Sequence, residues 1–125
     1  MSIVIYLDAV KGEDGATKSL IPVLKVYQRG LLMWFDRHNS YYDEYLYGPG
    51  QWYEFSPSQV DELLKDCQDA IKGVGWFFEN PIDTYAYGDY PMETEDYQHI
   101  ADTLEDFKNK QGKDWEKLWF LYNAS

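Results

Sequence analysis

Two sets of carboxylates recur at helical spacing in this sequence. They are Glu62, Asp66 and Asp69 in the first set, and Asp102, Glu105 and Asp106 in the second. The spacing places each set on one helix face, where like charges repel by a few tenths of a kcal/mol per pair. Carboxylates one turn apart lie about 6 Å from each other, comparable with phosphates along a nucleic-acid strand. The spacing favours a DNA-mimic surface over a plain solvated one.

Residue types that carry catalysis are not arranged for it. His38 and His99 lie on predicted helices, outside metal-binding motifs such as H-E-x-x-H. Ser56 is better explained as a helix cap than as a nucleophile. With 22 Asp and Glu residues, chance carboxylate pairs are expected, and nothing selects one pair for a hydrolase. The sequence therefore predicts no catalytic residue, no metal ligand and no cofactor.

A second candidate contact surface is rich in tyrosine. Seven aromatic residues fall between positions 41 and 55, more than a core of this size absorbs. Tyrosine beside acidic residues is typical of protein-binding hot spots, and Tyr45 and Tyr47 are the candidate anchors. A peptide or a glycan would use the same rings. The alternative function is therefore a small recognition module for one of these ligands.

Negative charge is concentrated in the middle of the chain. The net charge is −11, and residues 36–107 hold 17 Asp and Glu against three Lys and Arg. Direct binding to nucleic acid or to an anionic membrane is disfavoured, because both need positive charge at the contact. A basic protein partner is favoured.

Composition predicts one α+β domain over residues 1–125. The chain is 45% hydrophobic, and no apolar run is long enough to span a bilayer. Its first residues lack the features of a signal peptide, so we expect a cytoplasmic protein. The single cysteine, Cys67, lies on the apolar stripe of a predicted helix, so its thiol is expected to be buried and inert.

The elements are organised around a helix over residues 56–73. Ser56 is its N-cap, Pro57 its first helical residue, Gln59 completes a capping box, and Gly73 ends it. Its apolar stripe comprises Val60, Leu63, Leu64, Cys67, Ala70 and Ile71. A helix capped by Thr94 follows, with a stripe of Tyr97, Ile100, Ala101, Leu104 and Phe107.

The remaining segments predict short strands and two further helices. Strands are expected at 3–7 and 20–26, with Pro22 placing the second on an edge. A helix is expected at 29–46, an extended segment at 51–55, and a small hairpin at 75–79 and 84–87. A last short helix opens at Asp114. The architecture is α+β, with short N-terminal strands and a small hairpin packed with three to four amphipathic helices.

Over residues 34–107 the chain resembles a family of small acidic phage-encoded proteins of unsettled function. The matching motifs are Trp34-Phe35, Tyr53-Glu-Phe-Ser56, Leu63-Leu64, Cys67, Ile71, Trp76-Phe-Phe78 and Tyr97-x-x-Ile100-x-x-x-Leu104. The resemblance implies a phage context, in which small accessory proteins commonly bind a host protein. The leading hypothesis is a non-enzymatic anti-CRISPR or other anti-defence inhibitor. Its acidic face would dock on a basic, nucleic-acid-binding defence effector of the host.

Overall fold

The computed structural model describes residues 4–11, 19–38, 53–88 and 91–124. They form an antiparallel sheet of four strands, β1 (Ile5–Lys11), β2 (Ser19–Val26), β3 (Tyr53–Phe55) and β4 (Trp119–Ala124). The strand order is β2-β1-β4-β3, so β2 is an edge strand, as predicted from Pro22. Helices complete the fold, and the predicted α+β class is confirmed.

Alternating side chains turn one face of the sheet into the core. Ile5, Leu7 and Ala9 on β1 are fully buried, and Phe120 and Tyr122 on β4 lie beside them. Successive side chains of a strand point to opposite faces, so an apolar residue at every second position covers one face continuously. That face packs against the helices and forms one hydrophobic cluster with them.

Five helices and a 3-10 helix account for the other elements in the described part of the chain. They are α1 (Arg29–His38), α2 (Pro57–Ile71), α3 (Trp76–Glu79), α4 (Thr84–Tyr87), α5 (Thr94–Gln111) and the 3-10 helix Gly112–Lys117. The long helices α2 and α5 pack against each other, and α1 contributes Leu31, Trp34 and Phe35 to the same core. No helix in the described ranges is long and apolar enough to cross a membrane.

Helix α2 begins and ends as the sequence predicts. The Ser56 hydroxyl accepts a hydrogen bond from the Gln59 amide, and the Gln59 side chain accepts one from the Ser56 amide. Gly73 lies just after the helix with a φ of 79°, a conformation that side-chain-bearing residues rarely adopt. The predicted stripe packs inward, with Val60, Leu63 and Cys67 essentially inaccessible.

The predicted hairpin at 75–79 and 84–87 is wrong, because both segments are single helical turns. Gly75 has a φ of 90° and starts α3, whose backbone bonds run from Phe78 and Glu79 back to the Gly75 carbonyl. Asp83 caps α4 through its carboxylate, which accepts hydrogen bonds from the Tyr85 and Ala86 amides. These local caps satisfy backbone groups that a strand would have paired with a neighbour.

The predicted last helix from Asp114 is also wrong. Only the 3-10 helix is helical there, and the residues from Trp119 onward form β4, which lies between β1 and β3. Trp119 is exposed while Phe120 and Tyr122 are buried, which is the period of a strand.

The start of α5 differs from the prediction by one residue. Glu93, rather than Thr94, is the N-cap of α5, and Asp96 completes its capping box. Helix α1 is described up to His38, and the rest of the helix predicted at 29–46 lies outside the described residues.

Candidate functional site

Asp66 lies inside the protein. Its side chain is on α2 but faces α1, where the indole Nε1–H of Trp34 donates a 2.8 Å hydrogen bond to Asp66 Oδ2. The residue is only 8% exposed. The sequence-based assignment of Asp66 to a solvated, partner-binding face is therefore wrong. A buried carboxylate needs a donor, and Trp34 supplies one.

His38 lies next to this hydrogen bond at the last turn of α1. Its ring stacks on the Trp34 indole, with centroids 3.9 Å apart and planes within 13°. Nδ1 lies 2.7 Å from the Trp34 carbonyl oxygen, and Nε2 lies 3.5 Å from Glu62 Oε1. The Trp76 ring packs nearby, 5.1 Å away. The imidazole is thus held in one orientation by two rings and a backbone carbonyl.

Glu62, Asp66 and His38 together make a mixed cluster at the junction of α1 and α2. One ring nitrogen of His38 and one carboxylate oxygen from each acid lie within 4.8 Å of one another. Glu62 is half exposed and His38 mostly buried, so the cluster is open to solvent on the Glu62 side. Nitrogen and oxygen donors in this arrangement could hold a metal ion.

Asp69, the third acid of the first set, is paired within its own helix. Lys65 Nζ lies 2.9 Å from Asp69 Oδ2, at the i, i+4 spacing that brings helical side chains together. This hydrogen bond is the main reason that the pKa of Lys65 is raised. The first set of acids is therefore divided, with Asp66 buried, Asp69 paired to lysine and Glu62 facing a histidine.

The second set of carboxylates does face solvent. Asp102, Glu105 and Asp106 are exposed on α5, on the side opposite its buried residues. Gln98 donates to Asp102 Oδ1 at 2.8 Å, and Lys110 pairs with Asp106 at 2.9 Å. We call Asp102, Glu105, Asp106 and the exposed Glu95 the α5 acidic face. Within the described residues neither glutamate of this face has an ion pair.

Two further carboxylates are used inside the fold, and sequence reasoning did not single them out for that role. Asp36 accepts hydrogen bonds from the hydroxyls of Tyr87 at 2.8 Å and Tyr122 at 3.1 Å. Burial raises the pKa of Asp36, although both tyrosine donors act in the opposite direction. Asp61 pairs with Lys108 at 2.7 Å and so joins α2 to α5.

Cys67 is buried, as its place on the stripe predicted. It has no exposed surface, and burial raises the pKa of its thiol, to which the nearby Asp66 charge adds. Tyr45 and Tyr47, the candidate anchors of the alternative function, lie outside the described residues.

The structure thus brings His38 to Glu62 and Asp66, a grouping the sequence analysis missed. The available signal was two i, i+4 pairs: Trp34 with His38, and Glu62 with Asp66. Comparisons with protein-family models, curated proteins and solved structures found no match to this chain. Arguments about function therefore rest on the geometry of its own side chains.

Proposed function

We propose that the protein is a non-enzymatic inhibitor whose α5 acidic face docks on a basic, nucleic-acid-binding protein. The observation that carries this proposal is the exposure of Asp102, Glu105 and Asp106 on adjacent turns of one long helix. Glu62, which is half exposed, and Asp69, which is paired with Lys65, are the further predicted contacts on the neighbouring helix α2. The buried Asp66 is not included in the contact surface.

Charge accounting on the described surface supports this proposal. Three lysines that could neutralise the acidic helices, Lys65, Lys108 and Lys110, are already paired with Asp69, Asp61 and Asp106. The other α5 carboxylates are then free to attract a positively charged groove. Complementary charge acts mainly on the association rate and on the choice of partner.

The helix geometry suits a phosphate-binding groove. Asp102 and Asp106 are one turn apart, a rise of about 6 Å along the axis, and α5 presents them on a rigid element packed against α2. A groove built for a nucleic-acid backbone would meet fixed anions at similar intervals. A defence effector that handles DNA, encountered in the cytoplasm of a phage-infected host, is the partner class that we propose. The anti-CRISPR role belongs to this class.

Capture of the partner, followed by competition with DNA, tests the proposal. The tagged protein is used to isolate its partner from host extract, and the purified partner is then titrated with the protein in the presence and absence of DNA. We expect mutually exclusive binding and an affinity that falls steeply with salt. The variant Asp102→Asn/Glu105→Gln/Asp106→Asn should associate at least about tenfold more slowly.

A matched variant separates a specific face from net charge. Glu54, Glu79 and Glu116 are exposed and lie outside α5, so their replacement by Gln removes the same charge elsewhere. This control should bind nearly as the unmodified protein does. Equal losses in both variants, or a partner that binds together with DNA, would contradict docking through α5. A defect confined to Tyr45→Ala/Tyr47→Ala would favour the recognition-module alternative.

A further inference from the structure

The hydrogen bond at His38 Nδ1 fixes which ring nitrogen carries a proton. Its partner is the Trp34 carbonyl oxygen, which can only accept, so Nδ1 must be the donor. In the neutral imidazole, Nε2 then carries no hydrogen and is an acceptor. Nε2 faces Glu62 Oε1 at 3.5 Å. Two acceptors in this position repel each other unless a proton or a metal cation lies between them.

The Trp34–Asp66 hydrogen bond orients a second group that could bind a cation, the Asp66 carboxylate, in the same way. Asp66 is almost fully buried, and Trp34 is the single residue of the described ranges that hydrogen-bonds its carboxylate, through Oδ2. Among the described residues, the other oxygen of this carboxylate therefore has no hydrogen-bond donor. Ligands of protein-bound metals are typically oriented by hydrogen bonds of this kind, in which a histidine N–H donates to a backbone carbonyl and a carboxylate accepts from a nearby donor.

One ligand-to-ligand distance in the cluster agrees with a small tetrahedral ion. Two ligands bound to zinc at its usual nitrogen and oxygen distances are separated by roughly 3.3–3.5 Å. The His38 Nε2 to Glu62 Oε1 distance is 3.5 Å, and the third ligand atom lies within 4.8 Å of both. The half-exposed Glu62 side chain is long enough to adjust, whereas His38 and Asp66 are held in place.

We propose that His38, Glu62 and Asp66 form a zinc-binding site that ties the end of α1 to α2. A histidine nitrogen with two carboxylates suits zinc better than magnesium, which prefers oxygen ligands alone. The fourth position faces solvent on the Glu62 side and takes water. The site also gives a reason for the Glu62–Asp66 pair, whose like charges repel at i, i+4 until a cation lies beside them.

Calorimetric titration of the protein with zinc chloride tests this site. We expect one zinc ion per chain, a melting temperature that rises with zinc, and no displacement by millimolar magnesium. Glu62→Gln should weaken zinc binding at least about tenfold, and His38→Gln likewise. Because Glu62 is half exposed, its variant is expected to fold without zinc even if the His38 variant does not.

Matched controls place the ion within the structure. Glu95→Gln and His99→Gln change exposed residues of the same types on α5 and should bind zinc normally. Nitrogen NMR should show zinc shifting the His38 Nε2 resonance while His99 is unchanged. Zinc binding that survives Glu62→Gln, a shift at His99 instead of His38, or no binding at all would each overturn the proposal.

Discussion

Helices α2 and α5 both carry acidic residues three and four positions apart, yet the two helices use them in opposite ways. On α2, Asp66 is turned into the protein and hydrogen-bonds Trp34, while Glu62 faces His38. On α5, Asp102 and Glu105 face solvent. Both helices are amphipathic and pack against each other, so neither spacing nor neighbourhood explains the difference.

The difference comes from what lies opposite each helix. Helix α1 presents an indole N–H and an imidazole to α2, and these polar groups make burial of a carboxylate tolerable. No described element with such groups covers the solvent-facing side of α5, so its acids are left to water, to Gln98 and to Lys110. Acids at a repulsive spacing therefore indicate that other groups offset the repulsion. The spacing does not indicate whether those groups are protein side chains inside the fold or partners outside it.

Truncation of Asp66 should produce the largest effect. Asp66→Ala leaves the Trp34 indole N–H buried without an acceptor, which should lower the free energy of unfolding by about 1–3 kcal/mol. Urea denaturation measures the loss. Asp102→Ala on α5 is the matched control and should change stability by less than about 0.5 kcal/mol. Equal effects at the two positions would remove the distinction between the helices.

Cys67 tests the inward register of α2 next to Asp66. Cys67→Ser places a hydroxyl in an apolar site and should lower the free energy of unfolding by about 1 kcal/mol. The cost is no larger because the serine hydroxyl can donate a hydrogen bond to the backbone carbonyl four residues earlier. Gln68→Ser, on the exposed side, should cost less. In the unmodified protein a thiol reagent should react slowly, since burial disfavours the thiolate. Rapid labelling of the native protein would contradict the register.

Asp36 is intermediate in burial between Asp66 and Asp102, and its contribution to stability depends on pH. Burial raises its folded-state pKa above the ordinary 3.8, so the folded protein holds this proton more tightly than the unfolded chain does. Stability contributed by Asp36 therefore increases as the pH falls through the raised pKa towards 3.8. Across this window the melting temperature of the unmodified protein should rise relative to that of Asp36→Asn as the pH falls. Parallel curves would show that Asp36 titrates normally.

The smallest effect is expected on α5. Asp102→Asn/Glu105→Gln removes repulsion but keeps the Asp106–Lys110 pair, so stability should rise by a few tenths of a kcal/mol. Salt should raise the melting temperature of the unmodified protein more than that of this variant, because salt screens the same repulsion. A loss of stability in the variant would show that these acids make contacts that hold the fold together.

Local signals made much of the fold predictable. The capping box of α2, the apolar stripes of α2 and α5, and the existence of strands β1 and β2 depend on residues close in sequence, so the pattern alone indicates them. The bounds of β1 are less well predicted, because the strand expected at 3–7 continues to Lys11. Burial of Cys67 followed from the same stripe. The segments 75–79 and 84–87 were mistaken for strands because their aromatic residues have strand propensity, while Gly75 and Asp83 supply helix starts.

Long-range partners explain what could not be predicted. Leu118, Trp119 and Tyr122, in and just before β4, fit a helical spacing, whereas Phe120 and Tyr122 fit a strand spacing, and a short apolar run does not decide between the two. Pairing with β1 and β3 decides it. The burial of Asp66 depends on Trp34, 32 residues earlier in the chain. The residues next to Asp66 in the sequence do not indicate that contact.

The position of β4 has a consequence for how the protein is made. Strand β1 is synthesised early, but one of its two neighbours is β4, which the ribosome translates after every other described element. The hairpin of β1 and β2 can pair as soon as it emerges, whereas β3 has no strand to join until β4 arrives. During translation the edge of β1 that pairs with β4 therefore remains without a partner strand. Folding of the sheet is completed only after nearly the whole described chain has left the ribosome.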